Sequence, residues 1–247
     1  MRRLIVNADD FGLTPGVSEG ILAAHRHGIV TSTTVLVNKP ITADFRDRLL
    51  ASGMGIGLHV NLTLGEPLSR VPSLVGSDGR FVRDPRLAAW RGRAGDIERE
   101  VRAQIAAFER LFRRGPTHLD THHHVGLWPP VDAIVRAIAR ERALAVRSQT
   151  ETARAAARAA RLATPDHFFG ESGPDAYWTV ARTLRRLRGL PAGSSEFMTH
   201  PGYFDDALGY SRYGRQRERE LVGVGLPAAR AAALGLGIRL VDFRALA

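Results

Sequence analysis

Short apolar segments rich in β-branched residues alternate with amphipathic stretches along the whole chain, and this alternation restricts the fold more than any other feature. A strand, a helix and a second strand in succession place the strands parallel, with the helix packed on the sheet. Strands are expected at residues 2–8, 32–38, 55–62, 117–124, 144–147, 194–199 and 238–243. Helices are expected at 14–27, 42–52, 96–112, 150–162, 175–188, 210–222 and 227–234, with one more opened by Pro129-Pro130 and running through Arg142. The helix at 96–112 is the strongest of these. Ile97, Val101, Ile105, Phe108 and Phe112 recur at three- and four-residue steps, and Asp96 suits the N-cap. Residues 63–95 carry Gly65, Pro67, Pro72, Gly76, Asp78-Gly79, Pro85 and Gly92. They read as one long irregular loop, of the kind that serves as a lid or binding loop. No repeat or linker interrupts the pattern, so residues 1–247 read as a single α/β domain. Polar groups fall at several separate strand ends. That favours a (β/α) barrel, distorted or with fewer than eight strands, over an open sheet.

The chain has no cysteine, which excludes disulfides, thiolate metal sites and a cysteine nucleophile. The net charge is +10, and Lys39 is the only lysine among 35 basic residues. The arginines interleave with Ala and Leu at helical spacing and lack the aromatic interleaving of a nucleic-acid stacking platform. They read as solvated helix faces, and nucleic acid is not an expected partner. Met1-Arg2-Arg3-Leu4 runs straight into a strand without the apolar core of a signal peptide. No apolar run approaches the ~20 residues that span a membrane. A cytoplasmic location and no membrane partner are the expectation.

The chemistry gathers at strand ends. Asp9 and Asp10 follow the buried run Leu4-Ile5-Val6. Adjacent carboxylates there each cost several kcal/mol unless partnered. His59 and Asn61 close the third strand, Asp120-Thr121-His122-His123-His124 the fourth, and His200 the sixth. On a regular strand residues two apart share a face, so Asp120, His122 and His124 are expected on one side and His123 on the other. One Asp and two His from different strands form a common divalent-metal set, better suited to Zn, Mn, Fe, Co or Ni than to Ca. Such an ion lowers the pKa of bound water toward ~7. Asp9 and Asp10, as strand neighbours, point to opposite faces; one then ligates and the other serves as base. His200, before Pro201-Gly202, is placed to protonate a leaving group. Arg147 reads either as a salt-bridge partner or as a group for a substrate oxygen, and Trp128 as a sugar platform or as core. His25 and His27 read as surface residues at a helix C-terminus, and His118 and His167 as structural.

Five motifs in order, Asn-Ala-Asp-Asp-Phe-Gly at 7–12, Val-Thr-Ser-Thr-Thr at 30–34, Gly-Leu-His-Val-Asn-Leu-Thr at 57–63, Thr-His-Leu-Asp-Thr-His-His-His-Val at 117–125 and Met-Thr-His-Pro-Gly-Tyr at 198–203, resemble the YdjC-like carbohydrate deacetylase family. The resemblance covers about residues 1–213. It implies a barrel-like fold similar to that of polysaccharide deacetylases and one divalent metal ion, Mg or Zn. By position it implies Asp10, His59 and His122 as ligands, Asp9 as base and His200 as acid. His124, Arg147, Asn61 and Trp128 are weaker, substrate-side assignments. The family often carries a further histidine two residues beyond His124, where this chain has Gly126. A related branch, linked to hopanoid biosynthesis, has a different pattern around the histidines.

The expected function is therefore metal-dependent removal of the acetyl group from N-acetylated sugars such as chitooligosaccharides. The expected partner is that small sugar, and a homodimer is compatible with it. The alternatives are a metal-dependent phosphoesterase or other amidase, and a non-enzymatic sugar- or nucleic-acid-binding protein.

Overall fold

The computed structural model describes residues 1–246. In chain order the strands are β1 (Arg2–Phe11), β2 (Ser32–Val35), β3 (Gly55–Val60), β4 (His118–Thr121), β5 (Ala145–Val146), β6 (His167–Phe169), β7 (Gly193–Thr199) and β8 (Ile238–Leu240). The helices are α1 (Pro15–His27), α2 (Ala43–Ala51), α3 (Pro85–Arg91), α4 (Ala94–Phe112), α5 (Val131–Glu141), α6 (Glu151–Ala159), α7 (Val180–Arg188), α8 (Gln216–Gly225) and α9 (Pro227–Gly235). Every strand pairing within the two compact units below is parallel, as the alternation predicts. Among the described residues no helix is long and apolar enough to cross a membrane.

The first unit comprises Met1–Val35, Ile41–Ile56 and the chain from Pro165 onward. β1 is its centre and pairs with β2, β7 and β8, while β6 pairs with β7. Leu4, Ile5, Val6 and Ala8 are fully buried, as a strand covered on both faces requires. The helices start where side chains can cap them. Thr14, Thr42 and Thr179 accept the amides of Val17, Phe45 and Arg182 at α1, α2 and α7. A Cβ on Gly20 of α1 would lie 2.5 Å from Gly202 Cα, so this helix packs directly on the His200-Pro201-Gly202 turn. Tyr203 N–H donates to Gly16 O at 3.0 Å and fixes that turn.

The second unit comprises Leu36–Pro40 and Gly57–Thr164, with β3 paired to β4 and β4 to β5. The apolar stripe of α4 is buried as expected. Its polar residues are put to use as well. Gln104 accepts the Asn61 amide and donates to the Asn61 carbonyl at 2.6 Å, which clamps the exit of β3.

Several boundaries differ from expectation. The loop at 63–95 contains α3, capped by Asp84, and a bridge between Val75 and Phe81. Asp96 is not the N-cap of α4, which starts earlier. Its carboxylate accepts the Ser73 amide and hydroxyl, and Glu100 accepts the Leu68 and Ser69 amides and the Ser69 hydroxyl. The loop is thus anchored to α4 by two buried acids. β4 ends at Thr121, and residues 122–127 form a tight 3-10 turn with His123 and His124 at φ 51° and 56°. The two-residue alternation expected through His124 therefore fails at His122. Residues 175–179 are not helical, and α8 begins at Gln216 instead of residue 210. β6 was not expected.

Candidate metal and catalytic centre

β1 is irregular where it matters. Asn7 and Ala8 pair with Ser32 and Thr33, but the next partner of Val35 is Phe11, so Asp9 and Asp10 together face one residue of β2. This is a β-bulge, which re-aims side chains. Asp10 sits at φ 76°, a left-handed conformation that Asp adopts more readily than most residues, and Gly12 follows at φ 90°. The expectation that Asp9 and Asp10 point to opposite faces rests on a regular strand, and the strand is not regular here.

Both carboxylates are buried. Asp9 Oδ1 accepts from Asn7 Nδ2 at 2.8 Å, and Asn7 also donates to Thr34 Oγ1. Asp10 Oδ2 accepts from Arg217 at 2.6 Å, a pair with both side chains at most 4% exposed. β7 runs beside β1 in register as far as Ala8–Thr199, which brings the next residue, His200, toward Asp9. His200 Nε2 lies 3.9 Å from Asp9 Oδ2, and Nδ1 lies 3.9 Å from Glu220 Oε2. Burial holds the His200 imidazole below its ordinary pKa, opposed by the charges of Glu220, Asp9 and Asp10.

In the second unit His59 and Asp120 are register partners, with His59 Nδ1 2.6 Å from Asp120 Oδ1. Arg147 pairs with the other oxygen, Oδ2, at 2.8 Å. All three side chains are at most 3% exposed. A carboxylate on Nδ1 fixes a histidine tautomer with its lone pair on Nε2. It is the partner that metal-ligating histidines ordinarily have. The His122 ring, also buried, packs at 5.1 Å from that of His59. Candidate metal-ligand groups are therefore present and buried in each unit: Asp9 and Asp10 in the first, His59, Asp120 and His122 in the second. Asp120 already serves His59 and Arg147, which leaves His59 and His122 as the ligand candidates of the second unit.

Other expected residues fall elsewhere. Asn61 uses all its side-chain capacity on structure. Its oxygen accepts the Thr63 and Leu64 amides, and its nitrogen donates to Asn38 Oδ1 and Leu64 O. Arg147 is buried against Asp120, the salt-bridge half of its two expected roles. His123 and His124 meet Thr63 Oγ1 and Gln149 through their Nδ1 atoms. Trp128 is half-buried beneath the Arg86 guanidinium, 4.7 Å from the ring centre. A Cβ on Gly126 would lie 2.8 Å from the Thr121 side chain, and its amide donates to Thr121 Oγ1, so the glycine suits this turn. His118 is fully buried, lies against Gly57 and meets Thr117 Oγ1. His25 is more tied down than a surface residue, with Val30 O and Ser52 O at its two ring nitrogens. Sequence reasoning missed Arg217, Glu220 and Tyr213. Each is an isolated polar residue in a polar stretch, and nothing local marks it.

A parallel α/β fold with buried carboxylates and imidazoles at the C-terminal ends of its strands defines a class of protein suited to binding a divalent ion. Comparison with known proteins narrows it. The model of the YdjC-like protein family matches residues 3–231, and the chain belongs to that family. A carbohydrate deacetylase of Geobacillus stearothermophilus is 40% identical over 252 residues, covering 98% of this chain and 97% of that one. A chitooligosaccharide deacetylase of Serratia marcescens is 37% identical over 258 residues, covering 98% of each. Among solved structures, a candidate cellobiose-phosphate cleavage protein of Enterococcus faecalis V583 superposes with a TM-score of 0.90 at 31% identity, covering 100% of this chain and 99% of that one. The Xyl-CE4 domain of a xylanase from the hindgut metagenome of Trinervitermes trinervoides superposes at 0.56 with 10% identity, covering 99% and 89%. The latter is a likeness of fold alone, and it bears out the expected polysaccharide-deacetylase architecture.

Proposed function

We propose that this chain is a metal-dependent carbohydrate deacetylase that hydrolyses the acetamide of N-acetylated sugars such as chitooligosaccharides. The observation that carries the reading is the buried Asp120–His59 pair with His122 beside it, the arrangement of histidines prepared for a metal. Family membership and the deacetylase names of near-full-length relatives supply the substrate class.

Asp10, His59 and His122 would hold the ion. Two imidazoles to one carboxylate favour Zn over Mg. When bound, such an ion polarises an acyl oxygen and makes hydroxide accessible near neutral pH. The chain's own groups do the remaining work. Arg217 holds one oxygen of Asp10, and Asp120 holds the His59 ring, so both proposed ligands are oriented in advance. Asp9, steadied by Asn7, takes a proton from the attacking water. Water oxygen bonds to the acetamide carbon, the C–N bond breaks, and acetate and a free amine leave. His200 delivers a proton to the departing nitrogen. Burial lowers the pKa of its ring, and the proton it delivers comes from the Asp9 side, where Asp9 Oδ2 lies at 3.9 Å. Such contacts are often long before substrate binds. His124 and Trp128 are the residues we assign to the sugar.

Acetate release from N-acetylglucosamine oligomers, set beside phosphate release from a generic ester, tests the reading. Acetate alone is expected. Asp9→Asn should keep the metal and lose turnover by about 10²-fold or more, the usual share of a general base. His59→Ala should lose both metal and turnover. Full activity in Asp9→Asn would remove the base from the scheme.

A further inference from the structure

Glu220 lies on α8, fully buried, with no lysine or arginine paired to it among the described residues. A buried carboxylate costs several kcal/mol unless donors hold its charge. Here Oε1 accepts the Tyr213 hydroxyl at 2.5 Å and the amides of Tyr177 and Trp178 at 3.1 and 3.4 Å. Oε2 accepts the His200 amide at 2.6 Å. The same Oε2 faces the His200 ring, 3.9 Å from Nδ1. That nitrogen is buried and has no hydrogen-bond partner, and the carboxylate it faces is Glu220. On the other side of the ring, Nε2 faces Asp9 Oδ2 at 3.9 Å and Ser172 Oγ at 3.4 Å. The Tyr213 ring closes the edge, 5.3 Å from the imidazole centre.

We propose that Glu220 is a positioning residue for His200, holding the imidazole with its proton on Nδ1 so that Nε2 is the nitrogen that exchanges a proton at the reacting centre. This rests on the reading of His200 as the acid. Tyr213 takes part by occupying Oε1 and leaving Oε2 to His200. The structural donors account for three amides and a hydroxyl. They do not account for a carboxylate aimed at an unpartnered ring nitrogen. A neutral imidazole carries one proton, and its site is set by the acceptor it faces. Both ring nitrogens face a carboxylate oxygen at 3.9 Å, but Nε2 also has the Ser172 hydroxyl, which can donate, at 3.4 Å, whereas Nδ1 has Glu220 alone. The proton therefore sits on Nδ1 and the lone pair on Nε2. Proton exchange then runs through Nε2 in both directions, with Nδ1–H held throughout.

Histidine-labelled protein answers the question directly. The ¹⁵N shifts of the His200 ring, identified by their loss in His200→Gln, should report the Nδ1–H tautomer above the imidazole titration. A proton on Nε2 in the parent overturns the proposal. Glu220→Gln, checked for folding by circular dichroism, should shift that tautomer population and lower kcat by about tenfold or more, with KM within twofold. Glu220→Asp, which keeps the charge but withdraws it by one methylene, should retain the tautomer and recover part of kcat. A folded Glu220→Gln with unchanged kcat and unchanged tautomer contradicts the proposal. Should that variant not fold, an unchanged kcat in Glu220→Asp contradicts it equally. If the parent releases no acetate, the assignment of His200 as acid fails, while the ¹⁵N shifts still decide what Glu220 does to the ring.

Discussion

At the scale of residues, the adjacent carboxylates of β1 are made different by their partners. Asp10 faces a buried guanidinium and Asp9 an amide, and the bulge lets each point where its partner is. Removing one member of a buried pair leaves an uncompensated charge. Asp10→Ala should therefore destabilise the metal-free protein by about 3–5 kcal/mol. Adding Arg217→Met to it should recover much of that loss, as urea unfolding of both variants will register. A second prediction concerns His59. Asp120→Asn keeps the shape of the pair but removes the charge that orders the ring, and should weaken metal affinity by about 10–100-fold with the fold intact, measured by competition with a chelator. Asp9, Asp10, His59, His122 and His200 were legible because such residues are costly at the ends of buried strands and need a reason to be there. Arg217 and Glu220 were not. A polar helix reads as a solvated one, and α8 turns exactly those polar residues inward against β1 and the His200 turn.

At the scale of elements, the segment 63–95 departs most from its expected character. Asp96 and Glu100, one helical turn apart on α4, take the amides and hydroxyls of Ser69 and Ser73. The hydrogen bonds from Ser73, followed by Arg99, hold the Asp96 carboxyl below its usual value of 3.8. A group with a depressed folded pKa stabilises the fold above its unfolded value, and that contribution is lost as pH falls through the folded one. Asp96→Asn should thus cost stability at neutral pH, and the gap to the parent should shrink only below about pH 4. Urea unfolding across pH 3–7 reads this out, and a gap that closes near neutral pH would refute the anchoring. Gly20→Ala offers a further test, since its Cβ meets backbone rather than a movable side chain. Overpacking of this kind costs about 1–3 kcal/mol and should displace the His200 turn, lowering the melting temperature and acetate release together. Periodicity revealed α4 because apolar spacing is a packing requirement. It misread residues 122–127 because alternation assumes extended backbone, and His123 and His124 are left-handed. It missed β6 because three residues after Pro165-Asp166 carry too short a pattern to read.

At the scale of the whole molecule, strand–helix alternation was enough to give the parallel α/β class. The match to YdjC-like relatives along nearly the full chain agrees with it. What alternation does not carry is chemistry, which depends on a few side chains with buried partners. The central claim is that this chain uses a divalent ion to hydrolyse an N-acetyl group. The most direct measurement is acetate released from N-acetylglucosamine oligomers by purified protein, assayed as isolated, after chelation, and after adding back Zn or Mg singly, with metal content determined at each stage. The account predicts that release is lost with the metal and returns with one equivalent of a divalent ion, and that His59→Ala neither binds the ion nor releases acetate. Acetate release that persists undiminished in metal-free protein would contradict it.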